Sequence, residues 1–144
     1  MSPHHGTFGT PALEAASEHE TVRVLINIAE RAIVNVSTMV AARGAAGMAA
    51  YGASKAALEA LTRSWAAEYG PAGVRVNAVA LGPSRTEVTK SMGEMLDTLA
   101  AASPLGRANE PDEIARVIAY LAGEQARPIT GTVLAVDAGR VSTL

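Results

Sequence analysis

Three short apolar runs rich in β-branched residues, separated by stretches of helical length, confine this chain to a narrow set of folds. Ala32-Ile-Val-Asn-Val-Ser37, Val74-Arg-Val-Asn-Ala-Val-Ala80 and Gly131-Thr-Val-Leu-Ala-Val-Asp137 are nearly continuous in their apolar character. Strands buried on both faces of a parallel sheet have this pattern. Between the first two runs, residues 49–69 carry Leu58, Leu61 and Trp65 at helical spacing on an alanine background, and Gly70-Pro71 supplies a stop. Between the second and third, Pro111 suits a first helical turn, Asp112 and Glu113 sit at its positive end, and Ile114, Val117, Ile118 and Leu121 form a buried stripe. Strand, helix, strand, helix, strand predicts right-handed crossovers and an α/β fold, a parallel sheet covered by helices, in a single domain over residues 1–144.

The remaining segments are less regular. Residues 12–28 place Leu13, Ala16, Val22, Leu25 and Ile26 at roughly helical spacing, which predicts one or two helical pieces. Residues 87–102 are weakly helical, with Gly93 inside them and Met92 and Met95 spaced for one face. They read as a mobile element whose methionines line a lid or fill core. A net charge of −2 provides no electrostatic footprint for nucleic acid. No apolar run is long enough to cross a bilayer and no signal-peptide pattern opens the chain, so neither a membrane nor secretion is expected and the cytoplasm is. With no cysteine, disulfides, thiolate metal sites and a cysteine nucleophile are excluded. His4 and His5, with His19, lack the convergent spacing of a metal site, and no metal is expected. Gly47 and Gly52 have the glycine spacing of a phosphate-binding P-loop, but that loop needs lysine directly after its second glycine, and Ala53-Ser54 intervene before Lys55.

The chemistry is concentrated in Tyr51-Gly-Ala-Ser-Lys55. On a helix, residues four apart share a face, so the lysine cation is expected beside the phenol, where its charge would stabilise a phenolate. Tyr51 becomes a candidate proton donor and acceptor near neutral pH. Thirteen positions earlier lies Thr38, with Ser37 beside it.

Ile33-Val-Asn-Val-Ser-Thr38, Tyr51-Gly-Ala-Ser-Lys55, Val74-Arg-Val-Asn-Ala-Val79 and Val136-Asp-Ala-Gly139, in this order and spacing, resemble the catalytic half of the short-chain dehydrogenase/reductase family. The resemblance implies a partial Rossmann-like, doubly wound parallel sheet of about three strands with covering helices. It implies hydride transfer between NAD or NADP and a small alcohol or carbonyl substrate. Tyr51 would pass a proton to the carbonyl oxygen, Lys55 would hold the nicotinamide ribose as well as assist the phenol, and Thr38 would stand where the family usually has a substrate-orienting serine. Gly82 and Thr86 match the family's nicotinamide-contacting turn, whereas Leu81 replaces its proline. Ala138 replaces a familiar glycine, a change expected to matter only if that position needs φ > 0.

Other parts of the family pattern have no counterpart. The glycine-rich pyrophosphate loop and the residue that chooses between NAD and NADP are not found, and residues 4–11 resemble the segment just after the family's fourth strand. The first, cofactor-binding half of the fold is therefore expected to be missing and NAD(P) binding by this chain alone to be very weak. Arg23-Val-Leu-Ile-Asn27 resembles the helix bearing the family's catalytic asparagine, with Asn27 the fourth site member, although only eleven positions separate it from Thr38. A homo-oligomer is expected. The alternative is a non-catalytic interaction or oligomerisation module, suggested by the unpaired edge that a sheet of three strands would leave on residues 32–37.

Overall fold

The computed structural model describes residues 23–27 and 31–143. In chain order they form β1 (Arg23–Asn27), β2 (Ala32–Thr38), α1 (Ala49–Tyr69), β3 (Arg75–Leu81), α2 (Glu94–Ala101), α3 (Pro111–Ala122) and β4 (Val133–Val136), with short 3-10 turns at Met39–Ala41, Gly70–Ala72, Val88–Met92 and Glu124–Ala126. The sheet order is β1-β2-β3-β4. The three predicted strands pair in parallel, Thr38 opposite Leu81 and Leu81 opposite Val136, so their carboxyl ends finish together.

Two expectations fail at β1. Arg23–Asn27 is a strand, not the helix expected to carry Asn27, and it pairs antiparallel with β2 from Arg23↔Val36 to Asn27↔Ala32. Nor is the β2 edge unpaired. β2 would otherwise expose a row of unsatisfied backbone groups, and the Val-Leu-Ile run meets that demand as a strand once the chain reverses, with Arg31 at φ 47° in the turn. The His4–His5 pair, His19 and the helical pieces expected over 12–22 lie outside the described residues.

Alternation along the strands divides the core into two layers. Ile33 and Val76 pack under α1 with Ala66, Trp65 and Tyr69, while Ala32, Val34 and Val79 face α3 through Leu121 and Ala122, with Val117 and Ile118 against them. Each fully buried aliphatic of this kind contributes about 1.5–3 kcal/mol. The expected α3 stripe is present. On α1 the buried face is Gly52, Lys55, Leu58, Thr62 and Ala66, and Leu61, expected inside, is exposed. The left-handed residue that ends this segment is Gly73, at φ 78°, rather than Gly70.

Polar residues of β3 hold the far ends of the crossovers. Arg75 is buried and its guanidinium donates to the Leu121 carbonyl at 2.7 Å and the Gly123 carbonyl at 3.0 Å, a cation at the negative end of α3. Asn77 Nδ2 donates to Ile129 O at 2.9 Å. At the other end of α3, Glu110 and Glu113 form a reciprocal capping box. The Arg107 guanidinium, forked on Glu113 at 2.7 Å, and the Glu110 N–H hold the Glu113 carboxyl far below its usual range, at about 2.

Gly93, at φ 51°, breaks residues 87–102 into the Val88–Met92 turn and α2. The two methionines therefore do not share a face. Met92 packs against Leu96, Ala100 and Ala108, whereas Met95 is exposed.

Candidate functional site

In open parallel sheets, ligands are received beyond the carboxyl ends of the strands, and there the structure gathers Thr38, Lys55 and Gly82. α1 starts after the glycine-containing loop that follows β2 and returns across the sheet. It comes so close to the Met39–Ala41 turn that a Cβ on Gly52 would stand 3.0 Å from the Val40 carbonyl oxygen. That approach seats the first turn of the helix. Tyr51 is 40% exposed there, while Lys55, one turn on, is only 6% exposed.

Lys55 Nζ donates to the Val36 carbonyl at 2.9 Å and lies 5.9 Å from the centroid of the Tyr51 ring. Cation and phenol therefore share one face with no packed wall between them, as the four-residue spacing requires. The cation is taken out of water but bonded to a backbone oxygen, which offsets part of its desolvation.

Thr38 ends β2. Its hydroxyl donates to Leu81 O and accepts from Val40 N, both at 3.4 Å. These are long for hydroxyl bonds, so the oxygen is held loosely. Ser37 points to the opposite face and donates to Glu59 Oε1 at 2.6 Å. Gly82 follows β3 and donates its N–H to Val136 O at 3.0 Å. Its missing side chain has a packing reason, since a Cβ would stand 2.6 Å from Asp137 Cα.

Thr86 is exposed, and its hydroxyl lies 3.2 Å from that of Thr89, which also accepts the Thr86 N–H at 2.8 Å. It lines a cleft of about 620 Å³ with Arg85, Lys90, Gly93, Leu96 and Pro111 among its walls. Neither Tyr51 nor Lys55 reaches that cleft. A smaller one of about 340 Å³ lies between the loop after β2 and the first turns of α1, lined by Val40, Arg43, Met48, Gly52 and Ala56 among others.

Asn27 is not brought to this cluster. Its register partner is Ala32, at the opposite end of β2 from Thr38, about 20 Å away along an extended strand. Among the described residues no group of three His, Asp or Glu side chains could hold a metal ion, and no helix is long and apolar enough to cross a membrane.

Sequence reasoning missed two residues. Glu59 is one turn beyond Lys55 and grips Ser37; its helical spacing from Tyr51 and Lys55 was the available signal. Asn109 is buried, donates to Val136 O at 2.7 Å and to Ser84 Oγ at 3.3 Å, and exchanges backbone bonds with Pro83 and Arg85. It thereby anchors the loop that presents Thr86, and its position just before Glu110-Pro111 was the only hint.

The family model described as enoyl-(acyl carrier protein) reductase matches residues 13–140. The cis-4-hydroxycyclohexanecarboxylate dehydrogenase of Sinomonas cyclohexanicum is 44% identical over 109 residues, covering 75% of this chain and 44% of that protein. A solved short chain dehydrogenase/reductase family protein superposes with a TM-score of 0.72 at 46% identity, over 78% of this chain and 46% of the other. A 4-hydroxyisoleucine dehydrogenase complexed with NADH superposes with a TM-score of 0.74 at 34% identity, over 78% of this chain and 48% of the other. The chain thus spans about half the length of the relatives it matches.

Proposed function

The chain belongs to the short-chain dehydrogenase/reductase family, and from that membership we propose that it carries the proton-transfer half of an NAD(P)-dependent oxidoreductase acting on a small alcohol or carbonyl compound. The observation that carries this reading is the pairing of an exposed phenol with a buried ammonium anchored at the carboxyl end of β2.

In the direction of carbonyl reduction, Tyr51 gives its hydroxyl proton to the substrate oxygen, and in alcohol oxidation it receives that proton. Lys55, fixed on the Val36 carbonyl, places a positive charge beside the ring and favours the oxyanion left when the proton departs. The Thr38 hydroxyl, with only two 3.4 Å bonds to lose, is able to turn toward the substrate oxygen and orient it. Gly82 and Thr86 are assigned to the nicotinamide end, the first by its place in the turn after β3 and the second because it presents a hydroxyl on an open cleft. NAD(P), when bound, supplies or accepts the hydride. Asn27, on β1, has no part in this mechanism. Self-association belongs to the same proposal, through the outer side of α1 that leaves Leu61 exposed, and light scattering measures it.

The deciding assay tracks nicotinamide absorbance with NAD or NADP and a panel of secondary alcohols. Tyr51→Phe keeps the ring and removes the proton, so turnover should fall by about 100-fold or more while the unfolding midpoint stays put. A Tyr51→Phe variant as fast as the parent, or a parent without turnover even at cofactor concentrations high enough to offset weak binding, would refute the proposal.

A further inference from the structure

The first half of α1 is poorly equipped to hold its place on the sheet by shape alone. Trp65 and Tyr69 pack on Ile33 and Val76 near the carboxyl end of the helix, but before them Leu58 is the single large aliphatic on the buried face, and small side chains offer shallow ridges for a neighbour to grip. Directional bonds supply what shape does not. Asn35 Nδ2 donates to Thr62 Oγ1 at 2.9 Å, Ser37 Oγ to Glu59 Oε1 at 2.6 Å, and Lys55 Nζ to the Val36 carbonyl at 2.9 Å.

The strand side of this ladder is unusual. β2 is flanked by β1 and β3 and covered by helices, an environment ordinarily filled with aliphatics, yet Asn35 and Ser37 are buried in it. Burying them costs free energy that their bonds to α1 must offset. On the helix side, Tyr51, Lys55 and Glu59 are spaced by four and lie on one face. Because the helix moves as a rod, a slip of one residue's rise at Glu59, about 1.5 Å, displaces Lys55 and Tyr51 equally.

We propose that Glu59, gripping Ser37, is a positioning residue that sets the axial register of α1 on β2 and so seats Lys55 on the Val36 carbonyl with Tyr51 beside it. The catalytic value of that seat rests on the oxidoreductase function proposed for the chain; the register itself does not. What the contact requires is an acceptor oxygen at position 59, so glutamine preserves it and alanine removes it.

The chain has two lysines, Lys55 and Lys90, the first buried and the second exposed, so limited acetylation followed by mass spectrometry reads the seat of Lys55 against an internal reference. Glu59→Ala and Ser37→Ala should raise the Lys55/Lys90 labelling ratio about five-fold, the change that loss of one net hydrogen bond brings. Glu59→Gln should label as the parent does. Leu121→Ala, which empties the core on the other face of the sheet, should leave the ratio unchanged well below its melting temperature. The proposal is overturned if Glu59→Ala or Ser37→Ala labels like the parent, or if Leu121→Ala labels like Glu59→Ala. Should Glu59→Ala fail to fold, Ser37→Ala against Glu59→Gln decides by the same ratio. A chain that labels as expected but turns over no alcohol would refute the function while leaving the register intact.

Discussion

Replacing Gly82 with alanine tests whether the carboxyl ends of β3 and β4 are locked by backbone contact. The new Cβ would stand 2.6 Å from Asp137 Cα, 2.8 Å from its Cβ and 3.0 Å from its carbonyl oxygen, where carbon atoms prefer about 3.5–4.0 Å. The strand ends must therefore part by about 1 Å. Several bonds resist that movement. Gly82 N–H donates to Val136 O at 3.0 Å, Asn109 Nδ2 reaches the same oxygen at 2.7 Å, and the Asp137 carboxylate accepts the N–H groups of Gly139 and Val141 at 2.9 and 2.7 Å.

Overpacking of this kind costs about 1–3 kcal/mol and a lost backbone bond about 1 kcal/mol more, while alanine returns about 0.4–1 kcal/mol by restricting the unfolded chain. The net loss is about 2–3 kcal/mol, which shifts a urea midpoint down by about 1–2 M for a domain of this size. Gly44→Ala is the matched control, since nothing lies within 4 Å of its Cβ position, and it should be neutral or slightly stabilising. An unchanged midpoint for Gly82→Ala, or an equal fall for Gly44→Ala, would refute the steric argument.

Ala138 sits at φ 55°, a conformation that costs a residue with a Cβ about 1–2 kcal/mol. Ala138→Gly should therefore stabilise by about 0.5 kcal/mol after the entropy of the freer unfolded chain is subtracted, and a fall in the calorimetric Tm would contradict this. The Glu113 carboxyl titrates at about 2 in the fold against an ordinary 4.5, so its contribution is complete above about 4.5 and disappears as the pH falls toward 2. Urea midpoints across that window should decline less steeply for Glu113→Gln than for the parent, and parallel slopes would exclude the Arg107 contact as the cause. Calorimetric titration with NAD or NADP should show only very weak binding, because the sequence lacks a recognisable pyrophosphate loop; micromolar affinity would overturn that expectation.

Much of the architecture was legible because it depends on local pattern. Continuous β-branched runs mark doubly covered strands whatever surrounds them, and the stripe of Ile114, Val117, Ile118 and Leu121 marks the inner side of α3. The Tyr51–Lys55 pairing was legible for the same reason, as helix geometry alone brings residues four apart together. The penalty anticipated at Ala138 is also present, since the position does take a positive φ.

The rest depended on partners remote in the chain. Periodicity could not tell whether Val24-Leu25-Ile26 forms a helix or a strand, and hydrogen bonding to the open edge of β2 decided it, which carried Asn27 to the wrong end of the strand for the site. Leu61 matched a helical stripe but turned outward because Lys55 and Thr62, drawn in by Val36 and Asn35, set the rotation of α1. Gly82 resembled a ligand-contacting glycine, and its closeness to Asp137 emerged only when β3 and β4 were laid side by side. Apart from β1 and the break at Gly93, sequence determined which segments are strands or helices and which side chains share a face within each, because those properties come from backbone periods of two and 3.6 residues. Which face turns inward, and which strand completes an edge, were decided by tertiary structure, since only there do the buried polar groups find their partners.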